Sequence, residues 1–286
     1  MSDVPDVPDV PDVTDVTDLT DDAGVLGRFD REVRQSLVSP APGWAVERVG
    51  AVIRITAPAE LVHGCYVEWS DLDATTVDAE IAAQVAHFGG LRRRFEWKTY
   101  GYDGPPDLCE RLARAGFVAE EAEALVIGPV DAVTAACAGA GPPPGVRIRV
   151  IGADDIDAWA GIGRLHELVW GRSSGEWVSG LVSEMAADPT AITVLVAESE
   201  DAGEVVCAGW VRFHPGLAFA SLWGGSTAPA WRGQGIYRAL VGQRAALAAE
   251  RGSEYLQVDA SPDSRPILER LGLRVLTTTT PYIWTP

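Results

Sequence analysis

The stretch Arg232-Gly233-Gln234-Gly235-Ile236-Tyr237 lies between a strand-like run and a helix-like run. Upstream, residues 219–223 have the pattern of a strand. Downstream, apolar residues recur at helical spacing from Leu240 until Gly252 ends the run. The first N–H groups of a helix lack intrahelical partners and carry partial positive charge. Two glycines let an anion approach those groups without meeting a Cβ, so the stretch predicts an anion-binding loop.

The surrounding sequence makes this prediction more specific. Thr227-Ala228-Pro229-Ala230-Trp231-Arg232-Gly233-Gln234-Gly235-Ile236, followed by Arg238-Ala239-Leu240, resembles the acetyl-coenzyme A signature of the GNAT superfamily of N-acetyltransferases. In that family an Arg or Gln opens a six-residue loop whose fourth residue is Gly and whose sixth is usually Gly or Ala. Here the sixth residue is Tyr237, which we expect to crowd that position. No G-K-[ST] follows the glycines, which disfavours a Walker-type nucleotide site.

The resemblance implies that acetyl-CoA is the co-substrate and that backbone N–H groups of the loop hold its pyrophosphate. Arg232 either adds charge or braces the loop. The residues that would form this part of the site are Arg232, Gly233, Gln234, Gly235, Ile236 and Tyr237.

Length and charge restrict the class of protein. The 286 residues suit two domains of roughly 100 to 150 residues each. The net charge of −18 disfavours sequence-independent binding to nucleic acid and favours a cationic substrate such as an amine. No apolar run is long enough for a membrane span and no secretory leader is evident, so we expect a cytoplasmic protein without a membrane partner. The oligomeric state stays open.

The four cysteines and four histidines share no ligand spacing. We therefore expect no metal site and four reduced thiols, partly buried.

Residues 1–22 repeat Asp-Val-Pro and then Asp-Val-Thr. An aspartate at almost every third position and the lack of aromatic groups predict a disordered acidic tail, which we extend over 1–26. The simplest interpretation of this tail is a solubilising segment with no specific role.

A Pro/Gly linker at 139–145 divides the remaining chain into a domain at 27–138 and a domain at 146–286. In the second domain the predicted elements run β, α, α, β, β, β, α, β, α, β, with Asp154 capping the first helix. This is the order of a GNAT domain. The fold class is therefore mixed α/β (α+β), with a mostly antiparallel sheet flanked by helices.

The first domain contains a fainter copy of the same order. The strand 95–100, the helix around 107–112 and the strand 124–127 parallel the strand 255–259, the helix 264–271 and the last strand of the chain. Ser70-Asp71-Leu72-Asp73 stands where the copy would need a glycine loop, offering carboxylates in place of N–H donors. We interpret the domain as a degenerate GNAT-like copy without a coenzyme site that shapes the substrate cleft. A coincidental α/β similarity is the alternative.

The resemblance also implies that the central strands of the second domain splay apart and hold pantetheine between them. The Thr227 backbone would contact pantetheine, and an N–H near Ser226 would polarise the thioester. Gly224-Gly225 fits a bulge where a ligand comes close, although a bulge without function has the same sequence. Trp223, directly before the glycines, is the tryptophan we place in the acceptor pocket.

Acetyl transfer to an amine needs a base for the nitrogen and an acid for the leaving thiolate. In many family members a tyrosine on the last helix is the acid, but Leu268 stands at that position here. Tyr237, Tyr282 and Ser264 are the possible replacements, each with a structural alternative. Asp259, at the end of a strand beside the coenzyme, is the leading base candidate, and Glu198 is a second.

The sequence thus predicts an N-acetyltransferase that transfers acetyl directly from acetyl-CoA to a small amine in a ternary complex. The alternative is a non-catalytic acyl-CoA-binding sensor or regulatory module, which the missing tyrosine acid favours. A fold that has lost both sites is a third interpretation.

Overall fold

A computed structural model describes residues 16–40, 43–59, 61, 64–171, 173–214 and 216–286. The first-half elements are α1 Val16–Phe29, a π-helix Asp30–Arg34, β1 Ala45–Val49, β2 Val52–Thr56, β3 Tyr66–Ser70, α2 Val77–Gly90, β4 Phe95–Tyr100, α3 Leu108–Arg114, β5 Val118–Ala119, β6 Glu123–Pro129 and α4 Val130–Ala136. The second-half elements are β7 Val146–Ile151, α5 Ile156–Trp170, α6 Gly175–Ala187, β8 Ile192–Ser199, β9 Val205–Phe213, β10 Phe219–Thr227, α7 Ile236–Glu250, β11 Tyr255–Ala260, α8 Arg265–Arg270 and β12 Arg274–Trp284. The mixed α/β class and the predicted order of elements are confirmed.

The strands of the described chain form one continuous sheet in the order β1-β2-β3-β4-β12-β6-β11-β10-β9-β8-β7, with β5 paired to β12. The two halves exchange their last strands. β4 pairs with β12 of the second half, β11 pairs with β6 of the first half, and β6 pairs with β12 at the centre. The predicted linker lies in the segment between α4 and β7, but two independent sheets do not form, because the exchange joins the halves.

Each half contains one parallel strand pair joined by a helix: β3-α2-β4 and β10-α7-β11. The remaining pairs along the described sheet are antiparallel. Side chains alternate between the two sides of a strand. On one side, which we call the α1 face, Tyr100, Leu125, Ile127, Phe219 and Tyr255 pack beneath the N-terminal segment. On the opposite side, which we call the α7 face, Val126, Ala220 and Leu256 belong to the core that includes α4, α7 and α8.

The N-terminal segment differs from the predicted tail. Residues 16–26 are helical, which corrects the boundary of the tail, while residues 1–15 lie outside the described part of the chain. Val25 and Phe29 are buried, and Arg28 forms an ion pair with Glu254. Apolar positions with helical spacing therefore hold this segment on the sheet despite its acidic composition.

Arg34, at the end of this segment, is fully buried where the first parallel pair separates. β3 and β4 pair only at Tyr66–Glu96 and Val67–Trp97. Beyond that point the Arg34 guanidinium donates to the Glu68 carbonyl at 3.4 Å and lies 3.8 Å from the Tyr100 ring centroid. The Arg34 side chain thus contacts both β3 and β4 where these two strands separate.

A carboxylate lies in the turn that precedes α2. Asp73 Oδ1 accepts hydrogen bonds from the backbone N–H groups of Thr75 and Thr76 at 2.8 and 3.0 Å. Negative charge therefore lies beside the start of this helix. In the second half, the predicted cap Asp154 is wrong by one residue, because Asp155 caps α5 by accepting from Ala158 N at 3.2 Å.

Phe29→Ala tests whether the N-terminal segment is part of the folded core. The Phe29 ring lies 6.0 and 5.7 Å from those of Tyr100 and Phe219. Removing it should lower the free energy of unfolding by about 3–5 kcal/mol, measured by urea denaturation. Leu37→Ala, at an exposed position, is the control. A loss below about 1 kcal/mol in Phe29→Ala would contradict the packing of this segment.

Candidate active site

The second parallel pair opens a gap in the sheet. β10 and β11 pair at Phe219–Tyr255, Ala220–Leu256 and Ser221–Gln257, and then separate. The gap belongs to a cavity of about 300 Å³. Arg244 and Tyr237 of α7 line one end, and side chains of the α1 face line the other. A ligand in this gap therefore meets groups from both sides of the sheet.

The bulge on β10 lies at the edge of this gap. Its register with β9 shifts between Trp223 and Ser226. Gly224 has φ +62°, and a Cβ there would lie 1.8 Å from the Trp210 ring. A Cβ at Gly225 would lie 2.6 Å from Cε2 of Tyr237. Both glycines are therefore required by close packing, whatever further role the bulge has.

The anion loop has the geometry that its sequence predicts. Gly235 is the N-cap of α7 in the left-handed region, no side chain caps the helix, and its first backbone bond runs from Ala239 N to Gly235 O. The space in front of Gly233 and Gly235 is open. Backbone N–H donors and open space are what a pyrophosphate needs. Residues 233–237 thus fit the coenzyme role that the resemblance implies.

The remaining loop residues are explained by local contacts. Arg232 Nε donates to the Thr227 carbonyl at 3.2 Å, so the arginine braces the loop. Gln234 donates to the Ala230 carbonyl at 3.3 Å. Ser226 pairs with Ala208 of β9, and Thr227 pairs with Cys207, whose sulfur accepts from Thr227 Oγ1 at 3.2 Å.

Arg244 places a buried positive charge at the bulge. Its Nη1 donates to the carbonyls of Trp210 and Trp223 at 3.4 and 3.3 Å, while its Nη2 is buried without a described partner. Burial lowers the pKa of Arg244, although Tyr237 raises it. Because an arginine starts from such a high pKa, the group stays a cation, and its guanidinium, which also interacts with Tyr237, can donate to an oxygen or to an anion in the cavity.

The opposite end of the cavity is acidic. Asp259 of β11, Glu123 of β6 and Glu96 of β4 line it together with Lys98. The Lys98 ammonium forms an ion pair with Asp259 Oδ2 across the junction of the two halves, and Asp259 Oδ1 is buried without a described partner. Glu96 and Glu123 therefore have no contacting cation among the described residues. The buried Oδ1 of Asp259 has no hydrogen-bond donor among them.

Burial and neighbouring charges shift the pKa values of the side chains at this end. Burial alone would lower the pKa of Lys98, but Asp259 and its neighbours raise it well above its usual value, so the ammonium stays charged. Burial, reinforced by the charge of Asp259, raises the pKa of Glu123 to about 7. Burial also raises the pKa of Glu96. A carboxyl group that titrates near neutral pH suits proton transfer.

Two tryptophans stand at the mouth of the cavity. Trp223 is 44% exposed and Trp170, at the end of α5, is 54% exposed, and both line the cavity. The structure thus places Trp223 at this cavity, and its contact with an acceptor stays a prediction. One side of its ring faces the Arg212 guanidinium at 5.7 Å.

The structure separates the acid candidates. Tyr237 lines the cavity, and its ring packs inward against Gly225 and the core, so the expected crowding of the loop does not occur. Ser264 also lines the cavity, and its hydroxyl lies 3.2 Å from that of Ser261. Tyr282 is a correction: it pairs with Trp97 and packs in the first-half core, while its neighbour Pro281 faces the cavity. Adjacent strand residues point to opposite sides, which removes Tyr282 from the site.

The base candidates also separate. Asp259 lies in the cavity, but its Oδ2 is engaged by Lys98. Glu198 is a correction, because it forms ion pairs with Arg147 and Arg149 on β7 and does not line the cavity. Leu268 is fully buried in the core of the α7 face and offers no proton.

Sequence reasoning missed Glu96, Lys98, Glu123 and Arg244. The signals were present but weak. Glu96 and Lys98 alternate with buried residues along β4, and Arg244 interrupts an apolar stretch of α7. The pattern did not reveal that β4 and β6 lie beside β12 and β11, so no first-half residue was placed in the site.

Gly225→Ala tests the contact between the bulge and Tyr237. The added methyl should lower the free energy of unfolding by about 1–3 kcal/mol, because the buried ring cannot move freely away. The loss should be smaller in a Tyr237→Ala background, measured by urea denaturation of the double-mutant cycle. Gly90→Ala, where a Cβ meets open space, is the control. Equal losses in both backgrounds would contradict the contact.

The comparisons with known proteins agree with this geometry. Residues 162–273 match the model of the family described as "Acetyltransferase (GNAT) family". No curated protein matches the sequence. In the part of the chain that the structure describes, no helix is long and apolar enough to cross a membrane.

Solved structures are similar over most of the chain. A GCN5-related N-acetyltransferase from Kribbella flavida has a TM-score of 0.64 at 14% identity, covering 92% of this chain and 95% of its own. A tandem GNAT protein from the clavulanic acid biosynthesis pathway has a TM-score of 0.58 at 12% identity, covering 86% and 84%. A GNAT-family acetyltransferase from Novosphingobium aromaticivorans has a TM-score of 0.53 at 19% identity, covering 91% and 99%.

These likenesses establish the fold, and the family match identifies the half of the chain that carries the anion loop. Proteins of this family use acetyl-CoA. Residues 162–273 therefore match the GNAT acetyltransferase domain, and the fold of that family supports acyl-CoA-dependent acetyl transfer in general.

Proposed function

We propose that this protein is an N-acetyltransferase that transfers acetyl from acetyl-CoA directly to a small cationic amine in a ternary complex. The observation that carries the proposal is the charge distribution along the cavity between β10 and β11. Arg244 lines this cavity from α7, the helix whose uncapped start supplies the backbone N–H donors, and Asp259, Glu123 and Glu96 line it from the strands. An anionic coenzyme and a cationic acceptor would each enter at the end of complementary charge.

The coenzyme end fits acetyl-CoA. The open backbone of residues 233–237 would hold the pyrophosphate, and Ser226 and Thr227 lie along the strand that borders the gap. Acetyl-CoA bound there supplies the acetyl group as a reactive thioester. Arg244, whose Nη1 donates to the Trp223 carbonyl, would stabilise negative charge that develops beside the bulge.

The acceptor end fits an ammonium group. Asp259 Oδ1 needs a donor, and Glu123 and Glu96 have no contacting cation among the described side chains. Trp170 and Trp223 offer aromatic surface to the carbon skeleton of the amine at the mouth. A carboxylate ligand would meet repulsion at this end.

Direct transfer is favoured over a covalent enzyme intermediate. No cysteine lines the cavity among the described residues. Cys207, which pairs with Thr227 beside the bulge, is buried. Burial raises the pKa of its thiol to about 11. A thiol that stays protonated at neutral pH is a poor nucleophile. Tyr237 and Ser264 are the cavity hydroxyls available to protonate the leaving thiolate.

An acyl-CoA sensor without turnover is the second candidate, favoured by Leu268 in place of the tyrosine acid. Thiol release separates the two functions. We expect acceptor-dependent release of free thiol when acetyl-CoA is mixed with propylamine, 1,4-diaminobutane, lysine or glucosamine, followed with a thiol-reactive dye. Glycolate, which lacks an amine, is the control acceptor. Coenzyme A binding without acceptor-dependent thiol release from any amine would support the sensor.

Gly235→Glu tests the loop. A carboxylate in the open space at Gly235 should repel the pyrophosphate and weaken coenzyme A binding at least 100-fold, measured by isothermal titration calorimetry. Gly203→Glu is the matched control, because Gly203 also has positive φ and open space but lies in the β8–β9 turn. Unchanged affinity in folded Gly235→Glu would reject the coenzyme assignment.

A further inference from the structure

The half of the chain without the anion loop contributes three charged side chains to the cavity. Glu96 and Lys98 come from β4, and Glu123 comes from β6. They reach the cavity because the halves exchange strands: β6 pairs with β11, and β12 separates β6 from β4. Their position raises the question of which carboxylate receives the proton of the acceptor.

Asp259 is the carboxylate on the strand that borders the gap. Its two oxygens differ in their hydrogen-bond partners. Oδ2 is held by the Lys98 ammonium, which also fixes the side chain in place. Oδ1 is buried and has no described partner. This arrangement suits an acceptor of one hydrogen bond from a bound ammonium better than a group that must take up and release a proton.

Glu123 and Glu96 lie on different strands relative to the gap. β6 is hydrogen-bonded to β11, and Leu125 of β6 lies opposite Asp259, so Glu123, two residues from Leu125, lies diagonally from Asp259 on the same side of the sheet. Glu96 lies on β4, which β12 and β6 separate from β11 in the sheet. Glu123 is therefore the first-half carboxylate on the strand next to Asp259.

The surroundings of Glu123 include both signs of charge. Asp259 faces it from β11, Lys98 and Glu96 face it from β4, and Glu120 precedes its own strand. No described side chain makes an ion pair with Glu123 itself. The Glu123 carboxylate is therefore available to a ligand, whereas the Asp259 carboxylate forms an ion pair with Lys98.

We propose that Glu123, supplied by the half that lacks the anion loop, is the general base of the reaction, and that Asp259, held by Lys98, positions the acceptor nitrogen. This inference rests on the proposed N-acetyltransferase function. The acceptor class is an aliphatic primary ammonium, which presents N–H donors to both carboxylates. Glu96, whose strand lies two places farther from β11 than that of Glu123, binds the remainder of the acceptor.

The proton balance follows from these roles. The ammonium nitrogen gives one proton to the Glu123 carboxylate and, with its freed electron pair, forms the bond to the acetyl carbon. The carbon–sulfur bond breaks and the second proton of the nitrogen is transferred to the leaving sulfur, so the products are an amide and a free thiol. Glu123 returns its proton to water.

Glu123→Gln tests the assignment with propylamine and 1,4-diaminobutane as acceptors. The wild-type rate should rise with pH through a midpoint near 7 and then level off, because burial raises the pKa of Glu123 to about 7 and only the carboxylate accepts a proton. The variant should lose at least about 100-fold in kcat at pH 7. Its rate should then rise about tenfold per pH unit to pH 9, following the free amine.

Two variants control for charge. Glu120→Gln removes a first-half carboxylate that is 47% exposed and should leave kcat and the pH profile within twofold of wild type. Glu96→Gln should raise KM for the amine while keeping the inflection near pH 7. Coenzyme A affinity should be unchanged in Glu123→Gln, since the residue lies outside the anion loop. The urea midpoint at pH 7 should be no lower than that of wild type, because a buried carboxylate with a raised pKa destabilises the folded state.

Three outcomes would overturn the proposal: more than one third of the wild-type kcat in Glu123→Gln, an inflection near pH 7 that persists in that variant, or the loss of that inflection in Glu96→Gln instead. Wild-type protein without acceptor-dependent thiol release would reject the proposed function itself. The two failures are therefore distinguishable, because the first set requires an active wild-type enzyme.

Discussion

The exchange of β6 and β12 is the constraint on which the site depends. Each half ends in a strand that pairs with the other half, so β4 and β11 stand in one sheet with β12 and β6 between them. The Lys98–Asp259 ion pair crosses this junction. An isolated second half would keep the anion loop and the bulge but would lose Glu96, Lys98 and Glu123. In the proposed reaction, the second half thus supplies the coenzyme loop and Asp259, and the first half supplies Glu96, Lys98 and Glu123.

The two halves use the same strand–helix–strand unit with opposite results. In the second half, α7 begins at an uncapped glycine and the separated strands enclose a cavity. In the first half, Asp73 accepts from the N–H groups of the turn before α2, and the Arg34 guanidinium lies between β3 and β4 where they separate. A carboxylate beside the helix start repels an anion, and a guanidinium occupies space between the separated strands. The interpretation of the first half as a copy without a coenzyme site stays a prediction.

Packing explains why unusual residues stand at the bulge. Tyr237 occupies a position where the family usually has Gly or Ala, and Gly225 beside it provides the space for the ring. Gly224 makes the same allowance for Trp210, and Gly209 does so for the Arg244 guanidinium. Large side chains therefore surround a backbone kept free of Cβ atoms. This brings an aromatic hydroxyl and a buried cation to the point where the thioester of the proposed reaction would lie.

Local sequence patterns determined the elements, the anion loop and the mixed α/β class. Helix starts, glycine positions and hydrophobic periodicity depend on residues close in the chain, and residues 219–252 carry all of these signals. The tertiary structure decided what each side chain faces. Tyr282 does not belong to the site, because strand alternation turns it toward the first-half core. Glu123 lines the site because β6 pairs with β11. Residues 16–26 folded because Val25 and nearby Phe29 meet a sheet surface assembled from both halves. Such contacts join residues more than 100 positions apart, and no local pattern records them.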